Sequence, residues 1–164
     1  MRSGTRTMLK RRWTPLGHRP PSPVKIGYEY VYLYAAVNPY TGHLLALLLP
    51  RMNKECFTIF MDYFAEQTGT LYGSEAVLLI ADGASNHQAE VIQGSTILLQ
   101  KLPAACPELN PAERFFQALR LELSNQVFEE YEQVIEKIEE ILQKYFNNPE
   151  LVRSLTHFPY IRLP

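Results

Sequence analysis

Two carboxylates in this chain, Asp82 and Glu113, have sequence settings that suit metal-dependent chemistry. Asp82 directly follows the apolar residues 77–81, and aspartate is scarce, since Asp62 is the other one in the sequence. Glu113 lies near the start of a predicted helix, and the ends of strands and the starts of helices tend to meet at one edge of an α/β sheet. Carboxylates that converge repel each other unless a cation lies between them. The pair therefore predicts a site for Mg²⁺ or Mn²⁺ of the kind that cleaves phosphodiesters.

A structural role would explain Glu113 equally well. Asn110 has the side chain of a helix N-cap, and Pro111 suits the first helical position, where no amide donor is needed. Glu113 at the third position would then close a capping box by accepting a hydrogen bond from the backbone amide of Asn110. The residues alone leave both interpretations open.

The positive charge of the chain is concentrated at its beginning. Residues 1–25 contain seven Lys or Arg residues and no acid, whereas residues 106–150 contain ten glutamates and four basic residues. This asymmetry can orient a polyanion on one side of the molecule, although a solvated tail would have the same composition. The cations that we expect to contact phosphate are Lys10, Arg11, Arg12 and Arg19.

Three further residues each have two interpretations. His87 could contact DNA or a metal-bound water, and Asn86 could support the site, but both residue types are also common in loops and helix caps. Trp13 could wedge against DNA, but we expect it to anchor the basic segment to the domain.

The pattern of apolar residues and turn formers predicts one α/β domain. A basic extended arm at 1–27, rich in Pro, Gly and Arg, precedes a domain at 28–146, and a C-terminal tail at 147–164 packs on that domain or trails from it. Strands are predicted at 28–37, 43–50, 76–81 and 96–102, and helices at 54–69, 85–93, 111–125 and 129–146. Strands that alternate with helices indicate a mixed sheet flanked by helices.

The composition narrows the class of protein. The chain has 164 residues, of which 46% are apolar and 20% charged, which is typical of a globular domain. A net charge of −1 argues against a protein that coats nucleic acid. Cys56 and Cys106 lack metal-site spacing, so we expect reduced thiols in the cytoplasm. No apolar run is long enough to span a bilayer, so no membrane partner is expected.

Two motifs resemble those of a known family. The segment Pro103 to Arg114 reads P-A-A-C-P-E-L-N-P-A-E-R, and residues 11–20 read R-R-W-T-P-L-G-H-R-P. Following a buried Asp at this distance, the first motif resembles the DDE superfamily endonuclease domain of bacterial insertion-sequence transposases, on the mariner-like branch. The resemblance covers nearly the whole chain and implies a ribonuclease H-like fold and cut-and-paste DNA transposition.

The resemblance assigns roles to the two carboxylates. It implies that Asp82 and Glu113 are the second and third catalytic acids and that together they bind Mg²⁺ or Mn²⁺, as two ions in an intact site. The implied partners are double-stranded DNA, both element ends and target, and a second transposase chain in a homodimer or mixed oligomer. The implied location is the bacterial cytoplasm, in association with the nucleoid.

The chain departs from the family at its beginning. In the family the first catalytic Asp lies on the opening strand, just before the basic region, and a helix-turn-helix region comes earlier still. Here no acid occurs before Glu29, and Asp62 falls on a predicted helix. We therefore expect a truncated catalytic domain whose first strand is missing and whose activity is impaired.

Two other functions remain open on sequence grounds. The first is a non-catalytic remnant that binds DNA or an intact transposase. The second is a stand-alone ribonuclease H-like nuclease, which would need a complete acidic cluster within the chain.

Overall fold

The computed structural model describes residues 1–82, 96–103 and 106–161, without the side chain of Tyr160. The predicted helix at 85–93, which includes Asn86 and His87, lies outside these residues. The described strands are β1 (Arg2–Gly4), β2 (Tyr30–Val37), β3 (Leu44–Leu49), β4 (Val77–Ala81) and β5 (Ile97–Lys101). The described helices are α1 (Lys54–Tyr72), α2 (Pro111–Leu123), α3 (Tyr131–Phe146) and α4 (Pro149–Thr156), with short 3₁₀ helices at Pro107–Leu109 and Pro159–Ile161.

The first three strands form an antiparallel sheet in the order β1-β2-β3. The predicted hairpin of β2 and β3 is confirmed, with Tyr32 opposite Leu49 and Val37 opposite Leu44. Its turn is fixed by the side chain of Asn38, which accepts a hydrogen bond from the amide of Tyr40 at 2.9 Å. This hairpin forms one wall of the cleft described below.

Strand β1 lies within residues 1–27, for which the sequence analysis expected an extended arm. Arg2, Ser3 and Gly4 pair with the beginning of β2, and Ser3 and Thr5 are buried. The sequence gives no sign of this strand because small and charged residues have low strand propensity. The partner strand supplies the order through backbone hydrogen bonds, which continue from the amide of Thr5 to the carbonyl of Glu29 at 3.1 Å.

Strands β4 and β5 are parallel neighbours, as the α/β pattern predicted. Helix α1 precedes them and begins after Asn53, whose side chain accepts from the amide of Cys56 at 2.9 Å. The predicted end at Gly69 was wrong, since that residue lies within α1. The helix ends instead before Gly73, whose φ of +63° is a backbone conformation that residues with a side chain rarely adopt and whose amide donates to the carbonyl of Gly69 at 2.9 Å.

Two apolar clusters cover opposite faces of the hairpin. Helices α2, α3 and α4 pack on one face around Phe115, Ile138 and Val152, all fully buried. Helix α1 packs on the other face through Phe57 and Phe60, together with residues of β4 and β5. This sandwich sets the C-terminal end of β4 and the start of α2 beside one cleft. Within the described residues, no helix is both long and apolar enough to cross a membrane.

Candidate functional site

The structure brings Asp82 and Glu113 to the same cleft. Asp82 directly follows β4, and Glu113 is the third residue of α2. Both residues line a cleft of about 970 Å³ that also includes Met1, Asn110 and Arg120. The structure therefore places the end of β4 and the start of α2 at one cleft, as the sequence analysis expected.

The hydrogen bonds at the start of α2 distinguish between the two interpretations of Glu113, as a metal ligand and as a helix-capping residue. Asn110 caps the helix, since its side chain accepts from the amide of Ala112 at 3.0 Å. The amide of Asn110, however, donates to the carbonyl of Pro107 at 3.0 Å, so the expected capping box does not form. The Glu113 carboxylate lies instead 3.6 Å from a guanidinium nitrogen of Arg120. Glu113 is thus available to the cleft rather than used for helix capping.

A buried amine lies close to both carboxylates. The amino group of Met1 donates to the carbonyl of Leu33 at 2.6 Å. Burial, followed by the charge of Arg120, lowers the pKa of this amine from 8.0 to about 6, while Glu113 and Asp82 act in the opposite direction. Arg120, Glu113 and Asp82 therefore all lie within electrostatic reach of the Met1 amine at the cleft.

The lowered pKa of the Met1 amine predicts that the stability of the folded chain depends on pH. The unfolded chain keeps the ordinary pKa of 8.0 and the folded chain has about 6, so the unfolded chain binds more protons between these values. The free energy of unfolding should therefore rise from about pH 6 to pH 8, by at most about 2–3 kcal/mol. Urea unfolding of the chain with a free and with an acetylated Met1 amine measures this rise. An equal rise in both forms would contradict the assignment.

The carboxylates fit a hard divalent cation. Mg²⁺ is commonly held by one or two carboxylates, with waters and substrate phosphates filling the other positions. Asp82 and Glu113 supply two such groups at the cleft. Across residues 1–82, 96–103 and 106–161, no group of three or more His, Cys, Asp or Glu side chains is arranged to hold a metal ion.

The four cations expected to contact phosphate also lie together. They line a shallow depression of about 460 Å³ on the exposed loop between residues 9 and 24, which we call the basic loop; its cations are Lys10, Arg11, Arg12 and Arg19. The amide of Lys10 donates to the side chain of Asn125 at 3.0 Å, and Arg12 donates to Ser22 at 3.3 Å. These bonds attach the base of the loop to the end of α2 and close it on itself.

Trp13 corrects one sequence expectation. Its side chain is 100% exposed at the basic loop, so it does not anchor that segment to the domain. Leu16, in the same loop, is also fully exposed. The apolar tip of the loop is therefore presented to solvent beside the four cations.

Sequence reasoning missed Arg120 and Met1 as parts of the site. Arg120 follows Glu113 by seven residues, or about two turns of helix, which places both side chains on one helical face. That spacing was a usable signal for Arg120. Met1 had no such signal, because its position depends on the pairing of β1 with β2.

Comparison with known proteins shows the family to which the chain belongs. Residues 1–135 match the family model described as DDE superfamily endonuclease, and the chain belongs to this family. Among curated proteins, it is 28% identical over 128 residues to one from Sinorhizobium fredii (strain NBRC 101917 / NGR234), described as uncharacterized protein y4pE/y4sA. That alignment covers 77% of this chain and 93% of the relative.

Similar solved structures include those of the mariner transposase Mos1. The chain matches the Mos1 paired-end complex with left transposon end at a TM-score of 0.72 and 16% identity, covering 96% of this chain and 49% of that one. The Mos1 paired-end complex with Mg gives a TM-score of 0.66 at 15% identity, covering 96% and 51%. The chain thus spans about half the length of these Mos1 chains. The matches confirm the predicted mixed α/β fold of the ribonuclease H-like type and the likeness to mariner transposases.

Proposed function

We propose that this chain carries the catalytic core of a DNA transposase, in which Asp82 and Glu113 hold two divalent ions. The observation that carries the proposal is that both carboxylates line one cleft, with Glu113 not engaged in capping α2. The reaction is hydrolysis of one DNA strand at an element end, which frees a 3′-hydroxyl. Attack of that hydroxyl on a phosphodiester of target DNA then forms a new P–O bond between element and target and breaks the target's P–O3′ bond, so that the target strand leaves with a free 3′-hydroxyl.

Each group of the chain has a distinct part in this proposal. Asp82 and Glu113 would hold Mg²⁺ or Mn²⁺, which when bound supplies activation of water and stabilisation of the leaving oxygen. Arg120 pairs with Glu113 and positions its carboxylate at the cleft. Glu113 lies in the first turn of α2, at the positive end of that helix. The basic loop contacts the phosphates of DNA, and such contacts do not distinguish one DNA sequence from another.

A third carboxylate is part of the intact site in this proposal. The described residues provide two, so the chain as given should cleave DNA weakly or not at all until a third acid is supplied next to them. Double-stranded DNA is the substrate, and a second transposase chain is the expected protein partner.

Mn²⁺ binding tests the assignment without requiring cleavage. Asp82→Asn and Glu113→Gln should each weaken Mn²⁺ binding at least about tenfold, because each removes a charged oxygen ligand. Titration followed by the paramagnetic resonance of free Mn²⁺ measures the affinity. Asp62→Asn and Glu132→Gln are matched controls on exposed helical positions and should bind as the parent chain does. Parent-like binding by both cleft variants would remove the assignment.

A non-catalytic DNA-binding role is the second candidate. It is favoured by the finding that no group of three or more acids or other metal ligands is found among the described residues, whereas the four cations of the basic loop line one depression. This role would be favoured over the first by two results together. The chain would still bind DNA in the presence of a chelator, and it would cleave no strand in Mn²⁺ after a third acid is supplied.

A further inference from the structure

One cation of α2 lies against Glu113 in the cleft. A guanidinium nitrogen of Arg120 is 3.6 Å from a carboxylate oxygen of Glu113, and both residues line the cleft together with Asp82. Their α-carbons are about 10 Å apart along the helix axis, and the side chains of a helix lean toward its N-terminal end. Arg120 therefore extends back along α2 to the first turn, where the Glu113 carboxylate lies.

The backbone that carries Arg120 is fixed, whereas its side chain is free to turn. Leu119 and Leu123, on the same helix, are almost completely buried and hold α2 in the core. The side chain of Arg120 is 45% exposed, and that of Glu113 is 37% exposed. The guanidinium can therefore leave Glu113 by rotation about its side-chain bonds, without any movement of the helix.

The contact between Arg120 and Glu113 is looser than an ion pair elsewhere in the chain. Arg153 and Glu150 on α4 are 2.7 Å apart and form a hydrogen bond. At 3.6 Å, the Arg120 nitrogen is beyond ordinary hydrogen-bonding distance from Glu113. An exposed pair of this kind contributes little to stability. The main effect of Arg120 is therefore the positive charge that it places in the cleft.

That charge opposes the binding of a second cation at the same carboxylate. A guanidinium has donors but no acceptor, so Arg120 cannot itself be a metal ligand. A divalent ion held by Glu113 would be repelled by a guanidinium that stays against the same carboxylate. Binding of the ion therefore favours the arrangement in which the Arg120 side chain has turned away.

We infer that Arg120 and the divalent ion compete for the Glu113 carboxylate. This inference rests on the proposed role of Asp82 and Glu113 as metal ligands. Arg120 is a positioning residue that lowers the affinity of the cleft for metal until its guanidinium leaves Glu113. The sign of this effect separates competition from a purely supporting role. A residue that only held Glu113 ready for the metal would weaken metal binding when removed, whereas removal of a competitor strengthens it.

Mn²⁺ titration of the full chain tests the inference. Arg120→Gln should bind Mn²⁺ about three- to tenfold more tightly than the parent chain at low salt, because it removes one positive charge from the cleft. Arg120→Lys keeps a positive charge and should gain less. The gain of Arg120→Gln should largely vanish at about 0.5 M salt, because salt screens exposed charges. The paramagnetic resonance of free Mn²⁺ measures each affinity.

Arg153→Gln is the matched control, because it makes the same substitution in the Arg–Glu pair of α4. It should bind Mn²⁺ as the parent chain does at each salt concentration, and urea unfolding verifies that every variant is folded. Three results would each overturn the inference: parent-like or weaker binding by Arg120→Gln, a gain that salt leaves unchanged, or an equal gain in Arg153→Gln.

Asp82→Asn in the same titration separates this inference from the proposed function. Weaker binding by Asp82→Asn, without a gain in Arg120→Gln, would leave the metal site standing and remove the competition alone. Parent-like binding by Asp82→Asn, Glu113→Gln and Arg120→Gln would remove both.

Discussion

Neutralising the basic loop is expected to weaken DNA binding about a hundredfold or more at low salt, and to lower the salt dependence of binding by about three to four counterions. The combined variant replaces Lys10, Arg11, Arg12 and Arg19 with alanine. The physical reason is that four exposed cations on one loop can each displace a counterion from the phosphate backbone. Fluorescence anisotropy of a labelled duplex at several salt concentrations, in the presence of a chelator, measures both quantities.

The control for this variant carries the same change in net charge elsewhere. It replaces the cations Arg51, Lys54, Lys137 and Lys144, which lie on or near the helices. This control should keep most of the affinity and the salt slope of the parent chain. If both variants lose affinity equally, DNA binding follows the net charge of the chain, and the basic loop is not the binding surface.

Phe115→Ala is expected to lower the free energy of unfolding by about 3–5 kcal/mol. Phe115 is fully buried in the first half of α2 and meets the ring of Tyr145 edge-on, with the ring centroids 5.2 Å apart. Removing the ring leaves a cavity between α2 and α3 that rigid neighbours cannot close. Since small domains have only about 5–15 kcal/mol of stability, the loss should be visible as a large shift of the urea midpoint.

Two further variants keep this prediction testable. Phe146→Ala, at the end of α3, removes a ring that is 40% exposed and should cost below about 1 kcal/mol. Phe115→Leu retains most of the buried volume and should lie between the parent and the alanine variant. A similar loss for Phe115→Ala and Phe146→Ala would mean that α2 is not the centre of the core.

The local parts of the site were predictable from the sequence. Strand β4 is a short apolar run that ends at Asp82, and α2 begins at Pro111 after a capping asparagine. Both signals depend on neighbours along the chain, so they can be read without tertiary information. Because strand ends and helix starts tend to share one edge of an α/β sheet, these two signals together predicted that Asp82 and Glu113 lie near the same edge.

The parts that depend on distant partners were not predictable. Arg2–Gly4 becomes a strand because β2 provides a ladder, not because of its own residues. Helix α1 runs through Gly69 to Tyr72, whose hydroxyl accepts a hydrogen bond from the side chain of Asn38 at 3.1 Å, and the positive φ of Gly73 provides the stop. The Met1 amine reaches the cleft through the same β1–β2 pairing, so its low pKa had no sequence signal.

Trp13 gives the molecule a spectroscopic property that follows from its position. It is the single tryptophan of the chain, and it is fully exposed at the tip of the basic loop. Its indole has nearly the same solvent contact in the folded and unfolded chain, so selective tryptophan emission is insensitive to the melting of the core. The same emission responds to a base or a protein surface that covers the indole. One natural chromophore therefore reports on the occupancy of the basic loop separately from the state of the fold.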